Sequence, residues 1–136
     1  MEFPIIMLTE GDINIYAFAK LSDIETTSRE LLKKGVFNST NVYDCNNEVF
    51  NIANVKEIGY NGWIKGWHPF YKGTSIKVKF DFDLIKKISL EEFKKIILER
   101  VEKHDENIET SLQNLDYFRK EIPRCNSAQE IINLFL

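Results

Sequence analysis

The sequence predicts an α+β fold: an antiparallel sheet of about five strands in the order ββαββ…β, packed by an N-terminal helix and two or three C-terminal helices. Three observations predict it. Segments rich in β-branched and aromatic residues gather before residue 85, whereas helix-spaced apolar stripes dominate from Leu90 onward. Strands first and helices last describe separate layers, not interleaved βαβ units. Between the two halves lies Gly59–Gly73, which holds four of the six glycines, both tryptophans and two of the five tyrosines. Such a concentration fits neither periodic pattern and marks a loop. The 136 residues suit one domain spanning 1–136, able to bury about two-thirds of its unfolded surface without a disulfide or metal staple.

The elements follow in chain order. Phe3-Pro4-Ile5-Ile6-Met7-Leu8 is a short continuous apolar run, ended by the turn composition Thr9-Glu10-Gly11-Asp12. With Ile13–Ala19 it reads as a hairpin whose first strand is buried on both faces. Ser22-Asp23-Ile24-Glu25 has the spacing of a capping box, and Lys33-Lys34-Gly35 matches a helix stop, so a helix is expected from about Asp23 to Lys34. Thr40–Asp44 and Glu48–Val55 flank Cys45-Asn46-Asn47 as a second hairpin, since Asn enters the left-handed region that tight turns need. Thr74–Leu84 alternates strictly, with Ile76, Val78, Phe80, Phe82 and Leu84 on one face and Lys77, Lys79, Asp81 and Asp83 on the other.

Ser89-Leu90-Glu91-Glu92 opens the helical part as another capping box, and Leu90, Phe93, Ile96, Ile97 and Val101 form its stripe. Helical spacing resumes at Ile108 and runs to Ile122. One helix of that length would measure about 50 Å, too long for this domain, so a break is expected near Asp105. Ser127-Ala128-Gln129-Glu130 starts a last short helix.

The formal charge of −3 provides no global attraction for nucleic acid or anionic membrane. Its distribution is uneven: residues 1–58 carry −4, residues 59–89 carry +4 and residues 90–136 carry −3. The centre is therefore a basic, aromatic-rich segment. No apolar stretch approaches about 18 residues, and no signal-peptide pattern opens the chain. Cys45 and Cys125 lie outside any CxxC or Cys/His cluster, which reads as free thiols in a reducing, cytoplasmic setting, with a single bridge between them as the alternative. No phosphate-binding glycine pattern, metal-ligand spacing or nucleophile motif is present, so no cofactor and no metal are expected.

The candidate partner-binding residues follow from side-chain chemistry. Tyr60, Trp63, Trp67 and Tyr71 offer large stiff contact area with polar tips. Lys65, Lys72 and His68 add charge and hydrogen bonding, and Asp81 projects from the charged strand face. The bland reading of the tryptophans is a plug for the end of the sheet. Asp81 and Asp83 sit about 7 Å apart on one face, but a solvated row of mixed sign accounts for them. An alternative function is a small-molecule binder or small enzyme with a pocket under the Gly59–Gly73 loop, using His68 and Asp81. The apolar end Ile131–Leu136 would also suit pairing with a second copy.

Phe3-Pro4-Ile5-Ile6, Ile15-Tyr16-Ala17-Phe18, the segment from Ser22, and Val42-Tyr43-Asp44 before Glu48-Val49-Phe50 resemble small bacterial immunity proteins of polymorphic toxin systems. The resemblance covers residues 3–58. The family usually has a glycine in the turn after Tyr-Asp, where this chain has Cys45-Asn46-Asn47. The resemblance implies a cytoplasmic, non-catalytic protein that binds and neutralises a cognate toxin, and it carries over no catalytic residue.

Overall fold

The apolar run Ile5–Thr9 forms strand β1, and all five of its residues are buried. Alternate side chains of a strand face opposite ways, so Ile5 and Met7 enter one core while Ile6 and Leu8 enter another. The computed structural model describes residues 1–60, 75–105 and 115–136. Its sheet contains β1, β2 (Tyr16–Phe18), β3 (Thr26–Ser28), β4 (Thr40–Asp44), β5 (Glu48–Tyr60) and β6 (Ser75–Lys87). The spatial order is β2-β1-β4-β5-β6-β3, with every neighbouring pair antiparallel. The α+β class is thus as the sequence predicts.

The sixth strand is β3, in a stretch expected to be helical. Thr26-Thr27-Ser28 is a run of β-branched and hydroxyl residues with poor helix propensity. The edge of β6 offers it a ladder, with Thr26 opposite Lys77, Thr27 opposite Ile76 and Ser28 opposite Ser75. The backbone groups find their partners there, and Val78 N–H continues the pairing to the Glu25 carbonyl at 2.9 Å. The expected Asp23–Lys34 helix therefore shrinks to α1, Arg29–Lys33. Its cap is Ser28, whose hydroxyl accepts from Leu31 N–H at 3.2 Å. Ser22 lies instead in the short 3-10 turn Leu21–Asp23. The stop signal holds: Gly35 takes φ +65, a conformation open to glycine at little cost.

The β4–β5 turn is anchored by a carboxylate. Asp44 is fully buried and accepts backbone N–H groups from Glu2, Asn46 and Glu48, each at 2.9 Å. Asn47 takes φ +63, the left-handed residue the turn requires.

One face of the sheet carries the helices α2 (Leu90–Asp105), α3 (Leu115–Glu121) and α4 (Ala128–Asn133). The second capping box forms as expected: Ser89 Oγ accepts from Glu92 N–H and Glu92 Oε2 accepts from Ser89 N–H, both at 3.1 Å. Phe93, Ile97 and Val101 are fully buried, and Phe93 stacks on Tyr43 at 5.7 Å. Arg119 of α3 donates to both Glu102 carboxylate oxygens of α2, at 2.7 and 2.9 Å. Seventeen residues within one helix would lie about 25 Å apart, so Leu90–Ile122 is not one straight helix, in line with the expected break. Ser127 caps α4, accepting from Glu130 N–H at 3.2 Å, and Ile131 and Ile132 seal the core. The C-terminal run expected to be available for pairing thus spends its isoleucines inside the chain. Among the described residues, no helix is long and apolar enough to cross a membrane.

The sheet curls around the other core. The segment from Leu21 to Ser39 closes over this concave side, with Ile24, Leu32 and Phe37 packed near Phe50, Ile76, Val78 and Phe80. Phe37 meets Phe80 edge-on at 5.2 Å.

Candidate functional site: the β5–β6 ribbon

β5 and β6 are the longest strands, 13 residues each, and they outrun the helical layer. On the helix-facing side Val49 belongs to the core under α2–α4, while Asn51, Asn54 and Lys56 beyond it are exposed. The opposite row, Ile76, Val78 and Phe80, is buried on the concave side; Phe82 is half-buried and Leu84 emerges into solvent. The alternation expected for this strand is therefore present, but its cover ends before Leu84.

Three register shifts interrupt the ribbon, between Val49 and Phe50, between Ile52 and Asn54, and between Glu57 and Gly59. Each leaves one residue without a cross-strand partner: Ile85, Ala53 and Ile58. Bulges bend a strand and re-aim its side chains, and here they turn apolar residues outward. Ile58 is 64%, Leu84 58%, Ile85 52% and Tyr60 45% exposed. Nine large hydrophobic side chains are exposed among the described residues, and these four share one ribbon.

Charge is ordered along the uncovered face. Lys77, Lys79, Asp81 and Asp83 follow one another on β6, with Lys56 opposite Lys79, Asn54 opposite Asp81 and Asn51 opposite Asp83. Asn54 Nδ2 donates to Asp81 Oδ2 at 3.4 Å, and Lys56 Nζ lies 4.0 Å from the same oxygen. Two lysines directly across a ladder repel each other. The stripe is thus basic toward Lys77 and acidic toward Asp83, and its basic end keeps an arrangement that costs stability.

Tyr60 ends β5 opposite Ile76. The Arg29 guanidinium lies over its ring, 5.5 Å from the centroid, and also pairs with the Glu57 carboxylate. This clamp ties α1 to the ribbon and engages one side of Tyr60. Tyr60 is in line with the concave row and Asp81 with the outer row, so the two candidate residues share a ribbon but not a face. Trp63, Lys65, Trp67, His68, Tyr71 and Lys72 lie outside the described residues. Sequence reading missed Lys56, Ile58 and Ile85, because cross-strand register and bulges decide their exposure and neither is written in the local alternation.

The His and Cys side chains of the described residues are buried or half-buried. His104 is buried on α2. Cys45 and Cys125 are free thiols, and burial pushes both above their ordinary value. Their Sγ atoms donate to backbone carbonyls, Cys45 to Phe3 at 3.4 Å and Cys125 to Glu121 at 3.3 Å. No three His, Cys, Asp or Glu residues converge as a metal-ligand set among the described residues. Cavities of about 620, 440 and 280 Å³ occur beside α2, between α2 and the sheet, and inside the curl, and Asp81 lines none of them. No protein-family model matches this chain, and neither a curated protein nor a solved structure is similar to it.

Proposed function

We propose that this chain is a non-catalytic protein-binding protein, and that it acts in the cytoplasm as an immunity protein neutralising a cognate bacterial toxin. The observation that carries the binding reading is the β5–β6 ribbon: exposed Ile58 and Ile85 at bulges, beside an uncovered stripe where Lys56 opposes Lys79. Apolar anchors within a charged rim are the composition of protein interfaces. Lys56 already lies 4.0 Å from Asp81, but its repulsion with Lys79 is relieved further when an acidic surface meets the pair, so the part of the partner that faces this basic end is acidic. Gly59–Gly73, with Trp63, Lys65, Trp67, His68, Tyr71 and Lys72, continues the ribbon in sequence and extends the same chemistry. The toxin reading rests on the resemblance of residues 3–58 to immunity proteins.

The test starts from affinity capture in source-cell lysate and uses the captured protein as a growth challenge on co-expression. Wild type protects the cells and forms a stoichiometric complex. Lys56→Glu with Lys79→Glu weakens the complex about tenfold or more and leaves the melting temperature within a few degrees. A captured protein that the double variant binds and neutralises as well as wild type does would overturn the assignment of this face. A captured protein without toxicity would overturn the immunity reading alone.

A further inference from the structure

The curl of the sheet is not filled. A cavity of about 280 Å³ remains between its concave face and the segment that closes it. Tyr16, Phe18, Phe37 and Phe80 line it together with Met7, Ile24 and several threonines. Two carboxylates, Asp12 and Asp23, complete the lining, and among the described residues no Lys, Arg or His takes part in it. A dry apolar cavity of about 150 Å³ holds one benzene, so this one has room for an aromatic ring and a short side arm.

The polar end is preorganised. Asp12 Oδ1 accepts from Asn14 N–H at 2.9 Å and from Asn14 Nδ2 at 2.8 Å, while Asp12 Oδ2 accepts from the Tyr16 hydroxyl at 2.9 Å. Asp23 accepts from Lys20 N–H at 3.1 Å. The charge of Arg100 favours the ionised Asp12, but its guanidinium donates to the Thr9 carbonyl at 3.2 Å and does not line the cavity. Aromatic faces attract cations through their quadrupoles, and carboxylates select the same sign. A carboxylate or phosphate ligand finds no cationic group among the described residues of this lining.

We propose that the cavity inside the curled sheet is a binding site for a small organic cation, an aryl-alkyl ammonium whose ring enters among Phe18, Phe37 and Phe80 and whose ammonium meets Asp12 beside Tyr16. This site is separate from the uncovered face of the ribbon and goes beyond the protein-binding reading.

The test is NMR titration of the full chain with 2-phenylethylammonium, 2-phenylethanol and 3-phenylpropionate, three probes of one shape and different charge. The ammonium is expected to shift saturably the signals of Met7, Tyr16 and Phe37, with the alcohol binding roughly tenfold more weakly and the carboxylate not competing. Thr27→Phe, which pushes a ring from the β3 edge into the cavity, is expected to abolish the shifts. Asp12→Asn is expected to bring the ammonium down to the affinity of the alcohol. No shifts at millimolar ammonium, shifts confined to residues elsewhere, or equal binding of all three probes to wild type would overturn the proposal without reference to either variant.

Discussion

Across β1, Ile6 and Leu8 face helices whose inner sides are fully buried, whereas Ile5 and Met7 face a cover built of short turns and a five-residue helix. On the helical side Phe93, Ile97, Val101, Ile122, Ile131 and Ile132 are all inaccessible. On the concave side neither α1 nor the 3-10 turns Leu21–Asp23 and Val36–Ser39 bury a single residue, and Ile24 is the one deeply placed side chain between them. The first side closes by burial of continuous stripes. The second closes by edge pairing, an aromatic contact and the Arg29 clamp, and it keeps a cavity. A layer with few buried contacts opens at lower free energy, so the concave side is where this molecule can admit a ligand without dismantling its main core.

Truncating one aromatic on each side is the strongest way to break that comparison. Phe93→Ala removes a fully buried ring stacked on Tyr43 and is expected to cost about 3–5 kcal/mol. Phe37→Ala removes a half-buried ring beside an existing cavity and is expected to cost about 1–2 kcal/mol. Urea unfolding of both variants measures the difference. Equal losses would mean that the two sides form one cooperative core.

A smaller effect separates the two capping-box sequences. Ser89 and Glu92 exchange both capping bonds at the start of a 16-residue helix, so Ser89→Ala is expected to cost about 1 kcal/mol. Ser22 has the same spacing to Glu25, yet it caps nothing of that length, and Ser22→Ala is expected to stay within about 0.5 kcal/mol of wild type. A loss at Ser22 equal to that at Ser89 would show that the N-terminal box has a structural role the described contacts lack.

This pair also shows how far the sequence could be read. The C-terminal box is followed by a stripe that agrees with it, and motif, propensity and burial lead to one answer. The N-terminal box is followed by Thr26-Thr27-Ser28, and the free edge of β6, about fifty residues away in sequence, decides the outcome. Non-local pairing of that kind is invisible to a window of local periodicity. Both hairpins, the doubly buried β1 and the Asn47 turn were legible because each depends on residues close in sequence. The site was less legible. The sequence places Tyr60 in the Gly59–Gly73 loop and Asp81 on the charged strand face; β5 instead runs through Tyr60, and the bulge at Ile58 puts it on the face opposite Asp81.

The smallest expected effect concerns pH, and it divides the same two sides. At Asp12 burial works to raise the carboxyl, but hydrogen bonds from Asn14 and Tyr16 and the charge of Arg100 outweigh it, and the group is held below its ordinary 3.8. A depressed carboxyl contributes stability that is present above pH 3.8 and lost as pH falls through its folded value. Tyr16 is pushed above 10.0 by burial and by Asp12; on the helical side burial raises Tyr43 above 10.0 and Cys125 above 9.0. Raised groups of this kind contribute stability that is present below the ordinary value and lost as pH rises through the folded one. Tyr16→Phe removes the hydroxyl that both titrations share, so it is expected to soften the acid limb and the alkaline limb of the stability profile together. Tyr43→Phe is expected to change the alkaline limb and leave the acid limb as in wild type. Thermal melting from about pH 3 to pH 11 reads both limbs. An acid limb unmoved by Tyr16→Phe would uncouple Asp12 from the concave lip, leaving Asn14 and Arg100 as the groups that hold its charge.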